Sequence, residues 1–290
     1  RPYTQVQDTS RGFPWTRWFV GGRLNLATNC IDRRPGPQPA IQWEWDDGSQ
    51  ASWDRDRLRR ETGRLASALT RAGVRKGDAV GIYLPMVPEI VAVFFACLKI
   101  GAVAVPVFSA FGAPALAVRL QDARARILFT ADGVSRRGKR SPLKPEADLA
   151  VAQCPTIEKV VVLPRLGLDV PMGPRDIPWG DFLRGAPDEC PTAPTEAEDT
   201  AFLIHTSGTT GKPKGTVHTH AGVLAQVAKE VGYAFDVKEG DVFFWVTDIG
   251  WMMGPWELIG ALYFGATLVL FEGAPNYPDP GRLWDIVARR

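Results

Sequence analysis

Short apolar segments and helix-like segments alternate along most of this 290-residue chain, and this alternation limits the possible fold more than any other feature. Residues 79–84 and 102–107 are short apolar runs with the length of buried strands, and residues 89–100 between them form a mostly apolar segment with the length of a helix. Two strands joined by a helix within about thirty residues form a βαβ unit, in which the strands lie parallel. The sequence therefore predicts a parallel sheet with a helix packed on it.

The same alternation continues towards the end of the chain. A helix at 54–72 precedes the βαβ unit, and Gly73 is the type of residue that ends helices. The remaining predictions are helices at 115–122, 220–231, 255–264 and 281–290, and strands at 126–130, 157–163, 201–205, 242–246 and 267–271. We therefore expect an α/β fold with largely parallel sheets flanked by helices.

Three segments lack this alternation. Residues 1–50 are rich in Trp and Gly, and we interpret them as an N-terminal arm packed on a partial α/β domain formed by residues 51–290. Residues 133–144 are predicted to be a basic loop, and the proline-rich residues 166–200 are predicted to be a long surface connection. Because the first residue is Arg1 and not Met, we interpret the start of the sequence as a cut or missing end.

The composition argues against several classes of protein. Apolar residues make up 45% of the chain and charged residues 23%, as in ordinary folded proteins. The net charge of +2 is spread along the chain, so no basic field indicates a nucleic-acid partner. No apolar run approaches the length of about 18 residues that a membrane span needs, and we therefore expect no membrane partner. The sequence leaves open whether the protein forms a homo-oligomer.

The cysteines and histidines do not form a metal-binding pattern. The four cysteines are Cys30, Cys97, Cys154 and Cys190. Their wide spacing disfavours a zinc site or a disulfide framework and favours free thiols in a reducing cytoplasm. The histidines His205, His218 and His220 lie close together, but no carboxylate or cysteine completes a ligand set, so we predict no metal site. We expect His218 or His220 to cap the following helix or to contact a nucleotide.

The most informative segment is the ten-residue stretch TSGTTGKPKG at 206–215, which directly follows the predicted strand at 201–205. Its polar and glycine residues are Thr206, Ser207, Gly208, Thr209, Thr210, Gly211, Lys212, Lys214 and Gly215. Glycines let backbone N–H groups approach a ligand closely, hydroxyl groups donate hydrogen bonds to phosphate oxygens, and lysines supply positive charge. The segment is therefore predicted to bind a triphosphate, or the pyrophosphate that leaves it.

Two common nucleotide-binding patterns do not fit this segment. The P-loop pattern needs glycine at the position of Thr206 and serine or threonine at that of Pro213. No G-x-G-x-x-G pattern follows a predicted strand, so a dinucleotide site is unsupported. A flexible hairpin or linker is the remaining interpretation, although such segments rarely combine hydroxyl groups and paired lysines directly after a buried strand.

Residues 206–215 resemble the signature of the adenylate-forming, or AMP-binding, superfamily, which includes acyl-CoA synthetases, luciferases and the adenylation domains of peptide synthetases. The resemblance covers nearly the whole chain and is most specific to acetyl-CoA synthetase and its relatives. It is also carried by WFVGGRLN at 18–25, NCIDR at 29–33, YLPMVPE at 83–89, DIGW at 248–251 and FEGAPN at 271–276. The resemblance implies that Lys212 and Lys214 act catalytically by neutralising the phosphates of ATP, together with Mg²⁺.

The resemblance also implies a site for the acid. In acetyl-CoA synthetases the segment at 248–256 lines the acyl pocket, and the matching positions here are Trp251, Met252, Met253 and Gly254. The acetate enzymes carry valine and threonine where this chain carries Met252 and Met253, so we expect a short- to medium-chain acid that is somewhat longer or more branched than acetate. Without the resemblance, ordinary core packing is the more common role of such residues.

A coenzyme A site is implied near the basic segment at 133–140. Related synthetases bind the 3′-phosphate of coenzyme A with a basic loop at this place, and Arg136 and Lys139 align with its cations. The other matching positions are Phe108, Ser109, Ala110 and Asn276. The family often has glycine where Ser109 and Ala110 stand. From charge alone, a solvated basic turn is the default interpretation of the segment.

The implied reaction is the ATP-dependent ligation of a carboxylic acid to coenzyme A through an acyl-adenylate, with release of AMP and pyrophosphate, as in fatty acid metabolism. The resemblance implies that the adenine and metal contacts and the C-terminal lobe with its adenylation lysine are absent, so we expect residues 1–290 alone to be weak or inactive. Two alternatives remain: a non-catalytic nucleotide-binding fragment of this family, and a kinase or ATPase of unrelated fold.

Overall fold

The computed structural model describes residues 1–206, 211 and 213–290, except for the side chain of Pro14. The strands are β1 (Gln5–Asp8), β2 (Arg17–Val20), β3 (Pro39–Trp45), β4 (Gln50–Asp54), β5 (Ala79–Tyr83), β6 (Val103–Pro106), β7 (Ile127–Ala131), β8 (Gly133–Arg136), β9 (Lys139–Pro142), β10 (Lys159–Leu163), β11 (Asp176–Pro178), β12 (Thr200–Thr206), β13 (Lys214–Thr219), β14 (Val242–Phe244) and β15 (Thr267–Glu272). The helices are α1 (Arg55–Arg71), α2 (Pro88–Lys99), α3 (Ala113–Asp122), α4 (Lys144–Val151), α5 (Trp179–Leu183), α6 (His220–Lys229), α7 (Met253–Phe264) and α8 (Arg282–Arg289). Short π-helical segments lie at Thr28–Asp32 and Glu230–Ala234.

The larger sheet of the described residues has the strand order β11-β10-β7-β5-β6-β12-β13. All neighbouring pairs in it are parallel except β12 and β13, which are antiparallel. The central strands β5, β6 and β7 are buried along their whole length. This burial explains why their sequences are almost entirely apolar, because strands covered on both faces do not alternate.

A second sheet has the strand order β14-β15-β3-β4 within the described residues. Strand β15 runs parallel to both β14 and β3, while β3 and β4 form an antiparallel hairpin. The division of the chain into an arm at 1–50 and a domain at 51–290 remains a proposal. Its boundary falls inside β4, and β3 is an interior strand of this sheet, so an arm that only packs on the domain would have to end before Pro39.

Helix α1 illustrates how local sequence sets the ends of an element. The side chain of Asp54 accepts a hydrogen bond from the backbone N–H of Arg57 at 2.6 Å, which caps the first turn. Leu58, Leu65 and Leu69 lie on one buried face. The helix ends before Gly73, whose φ of 89° is in the left-handed region that glycine tolerates best.

The predicted α/β fold is confirmed, and every predicted helix and strand is present with bounds shifted by at most two residues. No helix among the described residues is long and apolar enough to cross a membrane.

One prediction about an irregular segment was wrong, because the basic segment at 133–144 is not a loop but the β8–β9 hairpin followed by the start of α4. The predicted connection at 166–200 is mostly exposed, and it also contains the short elements β11 and α5. Residues 1–50 likewise contain regular structure, namely the β1–β2 hairpin and most of the β3–β4 hairpin. Strands β8 and β9 are short and mostly exposed, so they produce no apolar run in the sequence.

Candidate active site

A cleft of about 350 Å³ lies where strands of both sheets end. Its walls come from the segments that follow β5, β6, β7, β14 and β15. The lining residues are Pro85, Met86, Phe108, Ser109, Val134, Ser135, Arg136, Val246, Thr247, Asp248, Trp251, Phe271, Glu272, Gly273 and Pro275. The carboxyl ends of parallel strands are where α/β sheets bind ligands, so this cleft is the first candidate for a binding site.

Asp248 joins the segment after β14 to the turn after β6. Its Oδ2 atom accepts a hydrogen bond from the Ser109 hydroxyl at 2.7 Å, and its Oδ1 atom accepts one from the Gly250 backbone N–H at 2.8 Å. Burial raises the pKa of Asp248 to about 6, against the lowering effect of these hydrogen bonds. A buried carboxyl group therefore holds two walls of the cleft together.

Trp251 forms an aromatic wall of the cleft. Its ring lies 5.5 Å from that of Phe108 and 6.1 Å from that of Phe111, measured between centroids. The residue is 47% exposed, so one face of the indole remains available to a ligand. The structure therefore places Trp251, predicted as part of the acyl site, beside Phe108 and Ser109, which were predicted as coenzyme A contacts.

The β8–β9 hairpin supplies the positive charge of the cleft. Its two-residue turn at Arg137 and Gly138 has φ values of 54° and 69°. Arg136 lines the cleft, and its register partner Lys139 is exposed on β9. Asn276 accepts a hydrogen bond from Arg137 at 3.3 Å, which joins the hairpin to the segment after β15.

Of the predicted coenzyme A residues, Phe108, Ser109 and Arg136 therefore lie together on the cleft wall. Ala110 is exposed and does not line the cleft. Lys139 and Asn276 lie next to the hairpin tip, outside the cleft wall.

A second cavity of about 470 Å³ contains Met252 and Met253. Its other walls are the end of β13, helix α6 and Trp256. Glu230 also lines the cavity and accepts a hydrogen bond from the Trp256 indole N–H at 2.9 Å. Among the described residues, this cavity and the 350 Å³ cleft share no lining residue. Gly254 lines neither, because it packs against the backbone of Ile249.

Glu257 was not singled out from the sequence. It lies on the otherwise apolar helix α7 and is 1% exposed. Its Oε2 atom has no hydrogen-bond partner among the described residues. Burial, reinforced by the negative charge of Asp248, raises the pKa of Glu257 well above its usual value. A glutamate in an apolar helix is a weak signal by itself, and only the structure shows that it lies near Asp248.

The predicted phosphate-binding segment connects the antiparallel strands β12 and β13. Thr206 ends β12 opposite Lys214, which begins β13, and both residues are exposed. Gly211 has a φ of 92°, in the left-handed region. The predicted contacts at Ser207, Gly208, Thr209, Thr210 and Lys212 lie outside the described residues.

Gly215 has a packing role that the sequence did not reveal. A side chain there would come within 3.2 Å of both His205 Nε2 and Asp122 Oδ2, two atoms that form a 2.9 Å contact with each other. His205 is buried, and this burial lowers its pKa. The His205–Asp122 pair therefore supports the base of the predicted phosphate-binding segment from helix α3.

The predicted helix cap by His218 or His220 was wrong, whereas their contact with a nucleotide stays a prediction. The side chain of Thr219 caps helix α6 by accepting a hydrogen bond from the Gly222 N–H at 3.3 Å. His220 instead accepts a hydrogen bond from the Leu26 N–H, and His218 stacks on Phe202. Within the described residues, no group of three or more His, Cys, Asp or Glu side chains could hold a metal ion.

The fold and the site define a class of protein. The profile of the AMP-binding enzyme family matches residues 28–290, and the profile of the acetyl-coenzyme A synthetase N-terminus matches residues 1–30. The chain therefore belongs to the AMP-binding enzyme family.

Within this family the chain is similar to acetyl-coenzyme A synthetases. It is 43% identical to that of Methanothrix thermoacetophila and 44% identical to that of Rubrobacter xylanophilus, over 99% and 95% of its own length. It spans only 44% of the length of either relative. The solved structure of acetoacetyl-CoA synthetase from Streptomyces lividans matches with a TM-score of 0.91 and 32% identity, over 99% of this chain and 44% of that one.

Proposed function

We propose that the protein is an ATP-dependent acid–thiol ligase that converts a short- to medium-chain carboxylic acid to its acyl-CoA through an acyl-adenylate. The observation that carries this proposal is the 350 Å³ cleft, in which a basic hairpin, the Ser109–Asp248 pair and Trp251 meet at the ends of strands from both sheets. Membership of the AMP-binding enzyme family and similarity to acetyl-coenzyme A synthetases support it.

The proposed reaction has two steps. The carboxylate of the acid attacks the α-phosphorus of ATP and releases pyrophosphate, and the thiol of coenzyme A then attacks the acyl-adenylate and releases AMP. The residues at 206–215 would hold the phosphates, with Lys212 and Lys214 neutralising charge and Mg²⁺ entering with the nucleotide. Positioning of the two substrates and stabilisation of phosphate charge would supply most of the catalysis.

The two cavities suggest where the acid and the thiol bind. Arg136 at one end of the cleft suits the phosphate groups of coenzyme A, while Phe108 and Trp251 offer apolar surface to its pantetheine part. Met252 and Met253 line the separate 470 Å³ cavity, which exceeds the needs of a two-carbon acid. We therefore assign the acyl chain to that cavity and expect acids longer or more branched than acetate.

The cellular setting follows from the substrates. ATP and coenzyme A are cytoplasmic metabolites, and Cys30, Cys97, Cys154 and Cys190 are all free thiols. We propose a cytoplasmic enzyme of fatty acid metabolism on these grounds.

Acid-dependent exchange of radioactive pyrophosphate into ATP tests the first step. The full-length protein should catalyse exchange only when a suitable acid is present, and a panel of acids of increasing length should identify the substrate. Replacing Lys212 with Ala should lower the exchange rate by about a hundredfold, because one stabiliser of the phosphate charge is removed. Lys238→Ala, at an exposed lysine paired with Asp236, is the matched control.

The same assay separates the alternatives. Nucleotide binding without exchange under any acid would indicate a non-catalytic nucleotide-binding protein. Release of orthophosphate instead of pyrophosphate would indicate a kinase or ATPase. An exchange rate that Lys212→Ala leaves unchanged would contradict the proposed role of the segment at 206–215.

A further inference from the structure

The tip of the β8–β9 hairpin is held by a carboxylate that lies far away in the sequence. Asp46 follows β3 and is 2% exposed. Its Oδ2 atom accepts a hydrogen bond from the Gly138 N–H at 2.5 Å, and its Oδ1 atom accepts one from the Ala274 N–H at 3.2 Å. Asp46 therefore joins the hairpin turn to the segment that follows β15.

A second carboxylate holds the base of the hairpin. Glu272 ends β15, and its Oε1 atom accepts a hydrogen bond from the Ser135 N–H at 3.2 Å. Its Oε2 atom accepts one from Arg165 Nε at 2.8 Å. The Arg165 guanidinium also lies over the ring of Trp43, 4.9 Å from its centroid. This cation offsets the negative charge of Glu272, which lines the cleft.

The hairpin needs such support because its own charges oppose its formation. Arg136 lies directly opposite Lys139, and Arg137 and Arg140 add two more cations to the same short ribbon. Like charges in opposite positions destabilise a strand pair, and an isolated two-stranded hairpin is marginal in water. Two buried carboxylates that bind its backbone N–H groups counter both effects.

We propose that Asp46 and Glu272 form a carboxylate clamp that fixes the β8–β9 hairpin so that its cations meet the 3′-phosphate end of coenzyme A. The inference rests on the proposed function and assigns a positioning role to residues that precede and follow the hairpin in the chain. Asp46 does not line the cleft, so it acts through the hairpin and not on the ligand. Its removal should therefore weaken recognition of the 3′-phosphate more than recognition of the rest of coenzyme A.

The test compares coenzyme A with 3′-dephospho-coenzyme A as thiol substrates of the full-length protein. The KM of each thiol is measured for the wild type, Asp46→Asn and Gly138→Ala, with enzyme concentration normalised by acid-dependent pyrophosphate exchange. In Asp46→Asn one backbone N–H faces an amide NH₂ group instead of an acceptor. In Gly138→Ala the φ of 69° is strained for a residue with a side chain, and the added carbon would lie 2.4 Å from the Tyr277 hydroxyl, so the variant perturbs the turn that Asp46 holds.

Both variants should raise the KM for coenzyme A by about tenfold, because Asp46→Asn loses a charge-assisted hydrogen bond to the hairpin and Gly138→Ala perturbs the turn that donates it. Both should also reduce the preference for coenzyme A over dephospho-coenzyme A. Asp47→Asn is the matched control, since Asp47 lies next to Asp46 but its side chain bonds only to Ser49 among the described residues. It should leave the preference unchanged. If Asp46→Asn does not fold, Gly138→Ala, which perturbs the turn whose N–H Asp46 accepts, decides whether the geometry of the hairpin sets the preference.

A double variant, Arg136→Ala with Lys139→Ala, distinguishes an error in the proposed coenzyme A site from an error in the proposed clamp. If it keeps the wild-type preference for coenzyme A, the proposed coenzyme A site itself is wrong. If it loses the preference while Asp46→Asn and Gly138→Ala keep it, the coenzyme A site stands and the clamp is refuted.

Discussion

Gly250 determines whether the segment after β14 can reach the turn after β6. A side chain at this position would lie 2.0 Å from the backbone nitrogen of Phe108, which is too close for any residue except glycine. The close approach lets Asp248 bind Ser109 and the Gly250 N–H at the same time. The absence of a side chain at Gly250 thus allows two walls of the cleft to come into contact.

Replacing Gly250 with Ala should destabilise the protein by about 3 kcal/mol, because the added carbon forces backbone apart in a packed region. It should also weaken acid activation, since the segment that carries Met252 and Met253 has to shift. Urea denaturation and acid-dependent pyrophosphate exchange measure the two effects. The control is Gly180→Ala in α5, where an added carbon meets no atom within 4 Å. Equal stability of the two variants would contradict the packing argument.

Sequence reasoning at the residue scale worked where a motif is contiguous. Phe108, Ser109, Arg136 and Trp251 were all singled out, and the structure brings them to one cleft. Asp46 and the His205–Asp122 pair were missed because their partners lie 92, 228 and 83 residues away. Contacts of that separation leave no local pattern in a single sequence.

At the scale of elements, helix α6 begins directly after the strand that leaves the predicted phosphate-binding segment. Thr219 ends β13 and also caps α6, so one residue ends the strand and begins the helix. The helix then lines the cavity that contains Met252 and Met253. The capping hydrogen bond of Thr219 is therefore one of the contacts that position this cavity wall.

Thr219→Ala should lower the free energy of unfolding by about 1 kcal/mol, because the Gly222 N–H loses its acceptor. Thr219→Ser keeps the hydroxyl group and should stay close to the wild type. Thermal or urea denaturation of both variants provides the measurement. A Ser variant as unstable as the Ala variant would show that the methyl group, not the cap, matters.

The elements that could be predicted are those whose own residues decide them. Helix α1 has one buried face, and strands β5 and β7 are buried along their whole length. The spacing of their apolar residues therefore predicts them. The β8–β9 hairpin could not be predicted, because its residues are mostly exposed and its backbone is held by Asp46 and Glu272 from other segments.

At the scale of the whole molecule, the N-terminal segment is joined to helix α6 by residues that lie far apart in the chain. His220 at the start of α6 is fully buried, and its Nδ1 atom accepts a hydrogen bond from the Leu26 N–H at 3.2 Å. Burial lowers the pKa of His220 to about 4. The N-terminal segment is thus attached to helix α6 through the His220 imidazole, which has to be neutral because a protonated Nδ1 atom cannot accept this hydrogen bond.

The pH dependence of stability follows from this shift. The pKa of His220 is about 4 when folded and about 6.5 when unfolded, so the unfolded state binds more protons between these values. Stability is therefore present above about pH 6.5 and is lost as the pH falls towards the folded value. Asp248 has the opposite effect, because its raised pKa makes the folded state the better proton acceptor from about pH 4 to about pH 6.

A single variant isolates the contribution of His220. Between about pH 7.5 and about pH 5 the wild type should lose about 2 kcal/mol more stability than His220→Asn, which keeps an acceptor for the Leu26 N–H but does not titrate. Because Asp248 is present in both proteins, its effect cancels in the comparison. Urea denaturation over this pH range measures the difference, and parallel curves for the two proteins would contradict the prediction.

The segment from Asp248 to Met253 acts as a partition. Trp251 faces one compartment while the next two residues face another, and the two compartments have separate walls. Substitutions at Met252 and Met253 can therefore change the shape of the 470 Å³ cavity without changing the walls of the 350 Å³ cleft. Under the proposed function, such substitutions would broaden or narrow the set of accepted acids by small steps while the thiol site stays the same.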